Sequence, residues 1–269
     1  MLAVFGCALG GKNFPMMTGH RARQTTLRSA TTLSGIGVHS GREVSLTLHP
    51  AEADTGVTFV AANGSEHRIP ANFRNVCATE LCTAVSVPGA TVATIEHLMA
   101  ALSALGVDNA TVEIDGPEVP IMDGSAAPFV DAVDQAGVER LDAPLRHIRV
   151  LKPVRVEDGS SFAEFTPHNG RRIEVEIDFA NPLVGRQHFA CDVDSASFRQ
   201  DIGRARTFGF LADVQKMLAR GLGRGASLDN AVVVGEDRVL NPEGLRWSDE
   251  FVRHKLLDAI GDLALAGLP

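Results

Sequence analysis

A chain of 269 residues, 45% hydrophobic and 22% charged, holds enough apolar material for a sizeable buried core, as one large domain or as two of about 120 residues each. Its formal net charge of −8 offers no Coulombic attraction to nucleic acid or to an anionic membrane surface, and no run reaches the roughly 20 apolar residues of a membrane span. Four cysteines without a Cys-x-x-Cys pair read as reduced thiols of a cytoplasmic protein, which excludes a disulfide scaffold.

Residues 1–20 lack the basic leader of a secretory signal and read as a disordered or wrongly started extension. From residue 25 the text alternates in strand fashion over 25–32, passes a glycine-punctuated turn at 34–41, and alternates again over 44–48. Further strands are expected at 57–60, 84–87 and 110–114. Residues 94–105 carry helical periodicity, with Thr94 or Thr91 as the cap and Gly106 as the stop. Asp123-Gly124 forms a turn, Ser125 caps, and a second helix covers 128–136 before Gly137.

A second round begins after Ala143-Pro144. Strands are expected at 147–150, 154–156, 161–165 and 173–178, helices at 194–199 and 211–220, a strand at 231–234, and a long helix over 249–265. Both halves run from hairpins to a long helix that bears a histidine near its start, so the chain reads as a degenerate duplication. The expected class is α+β: two similar sheet-plus-helix domains, 21–143 and 144–269, with the helices sandwiched between the sheets.

Within the last helix, His254 and Asp258 stand four residues apart and therefore one turn above each other on the same face. Such a pair can grip one ion together, or it can be an ion pair on an ordinary helix. His97 gains weight from Glu96 directly before it, because a carboxylate there is placed to take a proton from water activated by an ion. If the two long helices meet, His97, His254 and Asp258 form a three-ligand site with an open position, the arrangement that holds catalytic zinc. Asp262 continues the same face by one turn as a group that could orient a ligand or a second catalytic residue. Lys255 offers a point charge suited to a diphosphate. The segment Arg204-Ala-Arg-Thr-Phe-Gly-Phe210 combines arginines for phosphate, a hydroxyl for an oxyanion and an aromatic ring for a sugar, or is a strand edge with two core phenylalanines.

Four motifs, Thr94-Ile-Glu-His-Leu-Met-Ala-Ala-Leu102, Pro120-Ile-Met-Asp-Gly-Ser-Ala126, Arg204-Ala-Arg-Thr-Phe-Gly-Phe210 and Asp249-Glu-Phe-Val-Arg-His-Lys-Leu-Leu-Asp-Ala-Ile-Gly-Asp262, resemble the zinc-dependent UDP-3-O-acyl-N-acetylglucosamine deacetylases of lipid A biosynthesis. The resemblance runs from about Gln24 to the last residue. It implies one zinc ion held by His97, His254 and Asp258, Glu96 as general base, and Thr207 stabilising the oxyanion. It further implies Phe208 against the glucosamine ring, Lys255 toward the diphosphate, residues 211–225 along an apolar passage for the acyl chain, and Cys82 near the site without ligating metal. His39, in the Gly-Val-His-Ser-Gly turn, matches a family position. The substrate would be a UDP-linked acylated amino sugar and the protein a monomer.

One departure stands out. In the family a second histidine, in a Gly-His motif beyond the last helix and oriented by the aspartate matching Asp262, acts as general acid, whereas these residues stop at Leu268-Pro269. The second domain therefore reads as C-terminally incomplete, with severely reduced turnover expected of this length. The competing reading is a protein that binds zinc or a sugar nucleotide with little catalysis.

Overall fold

The computed structural model describes residues 4–5, 21–62 and 67–269. A two-residue strand β1 (Val4–Phe5) precedes β2 (Arg23–Leu27), β3 (Thr31–Ile36) and β4 (Glu43–Pro50). The single strand expected over 25–32 is thus broken at residues 28–30. The turn sits at 37–42, later than expected, where Gly37 N donates to Arg42 O and Gly41 N to Gly37 O, each at 2.9 Å. Apart from β1, the extension expected over residues 1–20 lies outside the described residues.

The chain continues through β5 (Val57–Ala61), β6 (Arg68–Pro70), β7 (Val76–Ala78), β8 (Ala84–Val87), β9 (Ala90–Val92), α1 (Glu96–Leu105), β10 (Ala110–Ile114), α2 (Ala127–Ala136) and β11 (Val138–Pro144). Gly106 ends α1 as expected, at φ 72°. Neither threonine caps its start. Thr94 itself takes φ 57°, and its hydroxyl donates to Glu118 Oε2 at 3.0 Å instead of to the helix.

The second half holds β12 (Val154–Asp158), β13 (Ser161–Phe165), β14 (Arg172–Asp178), β15 (Arg186–Asp192), a short α3 (Ser195–Ser197) running into a π-helical turn (Phe198–Ile202), β16 (Phe208–Phe210), α4 (Leu211–Ala219), β17 (Val232–Val234) and α5 (Glu250–Ala264). Residues 147–150 form no strand, contrary to expectation. That stretch alternates in sequence, but among the described residues its backbone joins no strand, and Ile148 N donates to Pro269 O at 2.8 Å.

Two five-stranded sheets flank the helices, in the orders β3-β4-β10-β5-β6 and β12-β13-β1-β14-β15. Period-two burial explains the first: Val44, Leu46 and Leu48 on β4 and Ala110, Val112 and Ile114 on β10 turn inward. α2 packs on β3, α5 packs on β14 and β15, and α1 lies against both α2 and α5. This is the expected α+β layering, with the helices between the sheets.

The contact between α1 and α5 positions the site. α1 is buried nearly all round and carries small residues at Ala100 and Ala101, both 0% exposed. On α5, Gly261 lies so close to the start of α1 that a Cβ added there would stand 2.0 Å from Glu96 O. Glycine at this point lets two helices from opposite halves of the chain bring their polar turns together.

A buried ion pair anchors the start of α5. Glu250, 0% exposed, accepts from Arg206 Nε at 2.9 Å, from Arg206 N at 3.0 Å and from Arg246 N at 2.6 Å. Removing the carboxylate leaves a guanidinium that is 3% exposed without its principal partner, and broken buried pairs cost about 3–5 kcal/mol. Glu250→Ala is therefore expected to lower the unfolding free energy by roughly that amount. Chemical denaturation at fixed metal content checks this, and an unchanged midpoint would refute it.

Candidate metal centre and active site

His97 lies on the first turn of α1, and His254 and Asp258 on successive turns of α5. The two imidazole rings meet edge to face, with centroids 4.9 Å apart and planes at 87°. Asp258 Oδ1 lies 3.3 Å from His254 Nε2 and 3.5 Å from His97 Nε2. One ligating atom from each of the three residues falls within 4.8 Å of the others, so the distant imidazoles and the carboxylate do converge.

The donor chemistry fits a divalent cation. Asp258 Oδ1 is buried and has no hydrogen-bond partner, which is costly unless something positive belongs there. His254 Nδ1 faces Ala205 O at 2.9 Å; a carbonyl can only accept, so the proton sits on Nδ1 and the Nε2 lone pair points at Asp258. Burial, reinforced by the positive charges of His97 and Lys255, depresses the His254 pKa to about 3 against the opposing pull of Asp258. At neutral pH this imidazole is free to ligate without first losing a proton. For Asp258, burial pushes upward, but the charges of His254, Lys255 and His97 outweigh it and hold the carboxyl well below the usual range.

Lys255 is buried, and its ammonium donates to Asp258 Oδ2 at 2.5 Å while lying 5.5 Å from the centre of the Phe208 ring. Its charge thus faces the Asp258 carboxylate. Phe208 stands in an aromatic cluster, 4.8 Å from Phe251 and 5.7 Å from Phe179 between ring centres. Thr207 belongs to the same strand edge: its amide donates to Gly124 O at 2.7 Å, and its carbonyl accepts from Val232 N at 2.8 Å. Gly124, at φ 84°, lets the backbone of residue 230 pack against this strand edge, since a Cβ there would meet Asn230 O at 2.2 Å.

Glu96 is buried beside the cluster, and its Oε2 accepts from Thr83 N at 3.0 Å. Burial raises its pKa to about 7, helped by the negative charge of Asp258 and opposed by His97. Asp262 Oδ1 accepts from Thr83 Oγ1 at 2.7 Å. Burial and the charge of Asp258 lift its pKa to about 6, with the Thr83 hydrogen bond opposing. Cys82 is half-buried, and burial with the nearby Glu96 charge pushes its thiol upward, away from the thiolate that would bind metal.

The contacts of His39 run elsewhere. Its amide donates to Glu118 Oε1 at 3.1 Å, and its Nδ1 faces Gly223 N at 3.3 Å, so the turn at 37–42 is tied to the loop at 221–225. Glu118 joins that turn to Thr94, two residues before Glu96. Sequence reasoning missed Thr83, which holds Glu96 and Asp262 from 13 and 179 positions away, as well as Glu118 and Glu250, and it gave Arg206 to phosphate where the fold pairs it with Glu250. None carries a local pattern that marks it. α4 offers an exposed apolar row, Leu211, Val214 and Leu218, at helical spacing.

Among the described residues no helix is long and apolar enough to cross a membrane. The family model described as UDP-3-O-acyl N-acetylglycosamine deacetylase matches residues 24–269. Proteins named UDP-3-O-acyl-N-acetylglucosamine deacetylase from Brucella ovis, Brucella canis and Brucella melitensis biotype 2 are each 55% identical to this chain over 250 residues, covering 92% of it and 87% of the relative. With two histidines, an unpartnered carboxylate oxygen and a buried glutamate gathered where α1 meets α5, the chain belongs to the UDP-3-O-acyl-N-acetylglucosamine deacetylase family.

Proposed function

We propose that the protein hydrolyses the acetamide of a UDP-linked 3-O-acyl-N-acetylglucosamine, releasing acetate, as a cytoplasmic, monomeric step of lipid A biosynthesis that depends on one zinc ion per chain. The observation that carries this is the orphaned Asp258 Oδ1 between two imidazole nitrogens, with Glu96 beside them, in a chain of this family. His97, His254 and Asp258 would hold the ion, which supplies Lewis-acid polarisation and lowers the pKa of water.

The chain's own groups do the rest. Glu96 takes the proton of the attacking water, its carboxylate aimed by the Thr83 amide. The Thr207 hydroxyl donates to the oxyanion that develops on the acetamide carbonyl. Phe208 packs on the glucosamine ring, and Cys82 and His39 line the approach. Lys255 supplies a cation toward the diphosphate side, and the Leu211, Val214 and Leu218 row shelters the acyl chain. Asp262 is placed to orient the group that protonates the leaving amine, a role the family resemblance gives to a histidine beyond the last helix that these 269 residues do not include. We also take the chain as two units meeting near residues 143–144, because β11 pairs back onto β2 and closes the first half there.

The purified protein is expected to hold one zinc ion per chain by elemental analysis and to release acetate from the UDP-linked substrate, both lost after chelation and both restored by zinc. Acetate release that persists in the fully chelated protein would overturn the reading. Bound zinc with no acetate released would instead favour a protein that binds metal or sugar nucleotide without turning it over.

A further inference from the structure

Glu96 and Asp262 sit on different helices, yet one residue on neither helix bonds to both. Thr83 lies just before β8, 7% exposed, in an irregular segment of the three-stranded sheet β7-β8-β9. Its amide donates to Glu96 Oε2 at 3.0 Å, its hydroxyl donates to Asp262 Oδ1 at 2.7 Å, and its carbonyl accepts from Ile95 N at 3.3 Å. Every polar group of Thr83 is therefore committed to the start of α1 or to the far turn of α5.

We propose that Thr83 is a positioning residue of the hydrolytic site, fixing Glu96 through its amide and Asp262 through its hydroxyl so that the two carboxylates keep a set relation. This rests on the proposed hydrolysis. Gly261 brings the helix backbones together but leaves each carboxylate free to rotate about its side-chain bonds. A carboxyl group has two oxygens and several rotamers, and a short hydrogen bond from a sheet-anchored donor selects one of them. Since a misplacement of about 1 Å costs as much as 10²-fold in rate, such selection has a kinetic consequence. The hydrogen bonds of Thr83 go to Glu96, Asp262 and Ile95 and not to the residues proposed to hold the ion, so its effect falls on turnover and leaves metal binding alone.

The shapes of valine and serine make the test decisive. Thr83→Val keeps the side-chain outline and the amide bond to Glu96 but removes the donor to Asp262; Thr83→Ser keeps the donor and loses a methyl group. Positioning predicts that Thr83→Val lowers kcat by about 10- to 100-fold, with KM and zinc content unchanged, and that Thr83→Ser recovers most of the loss. A packing role predicts the reverse order. If Thr83 acts through Asp262, adding Thr83→Val to Asp262→Asn brings no further loss. A crystal structure of the Thr83→Val protein should show the Asp262 carboxylate turned away from its place here, with Glu96 still on the amide of residue 83. Parental kcat in Thr83→Val, equal damage in Thr83→Ser, or an unmoved Asp262 would overturn the inference. A parent protein that holds zinc but releases no acetate would count against the proposed reaction, and the Asp262 orientation in the variant then decides the positioning role alone.

Discussion

Glu96→Gln is expected to slow acetate release by about 10²–10⁴-fold, the usual contribution of one positioned acid–base group, while zinc content stays at the parental level. Glutamine has the same length and still offers an oxygen to the Thr83 amide, so the local geometry survives. What disappears is the capacity to take a proton. The pH dependence follows the same group: a base works only when deprotonated, so the rate must rise with pH through its pKa and fall below it. In the ion-free chain that pKa is lifted to about 7 by burial and by Asp258. A cation beside Glu96 favours the charged form, so the acidic limb of the zinc-loaded protein is expected below that value. The variant should lose the limb together with the rate. Turnover within about threefold of the parent, or an acidic limb that persists unmoved, would assign the base to another residue.

Much of the site was legible because its chemistry is written at helical spacing. His254 and Asp258 four apart on α5, and Glu96 next to His97 at the start of α1, need only the geometry of a helix turn to be read as candidate ligands and a candidate base. That the two helices meet is not written in either of them. It follows from the packing of α1 against α5 and from Gly261, whose missing side chain reads in sequence as an ordinary break in helical propensity. Strands with clean period-two burial, β4 and β10, were equally plain.

What escaped was long-range or strained. Thr94 looks like a helix cap, but the backbone turns to positive φ there and the hydroxyl serves Glu118 instead. β11, which pairs with β2, lacks apolar alternation, and residues 147–150 alternate yet lie in no strand among the described residues. Lys255 reads as a charge for a diphosphate, and that the fold buries it against Asp258 is not written in its neighbours. Thr83, Arg206 and Glu250 owe their roles to partners dozens of residues away, which no local pattern encodes.

Asp258→Asn is expected to empty the metal site without unfolding the protein, and the reason lies in Lys255. The ammonium donates to Asp258 Oδ2 and is buried, so it will demand the amide oxygen of an asparagine at this position. That choice turns the NH₂ group toward His254 Nε2 and His97 Nε2, the two atoms that flank Oδ1 at 3.3 and 3.5 Å. His254 carries its proton on Nδ1, so its Nε2 can accept, and the amide hydrogens then occupy the space where a cation would sit. The substitution thus removes a negative ligand and blocks its place at once. It also gives a partner to the imidazole nitrogens and ends the orphaned state of the buried oxygen, a relief of about 1–3 kcal/mol that offsets part of the lost charge pair with Lys255. Elemental analysis should find zinc near zero, acetate release should fall to background, and thermal unfolding of the metal-free variant should stay close to that of the metal-free parent. A variant that keeps stoichiometric zinc would show that the ion is held elsewhere.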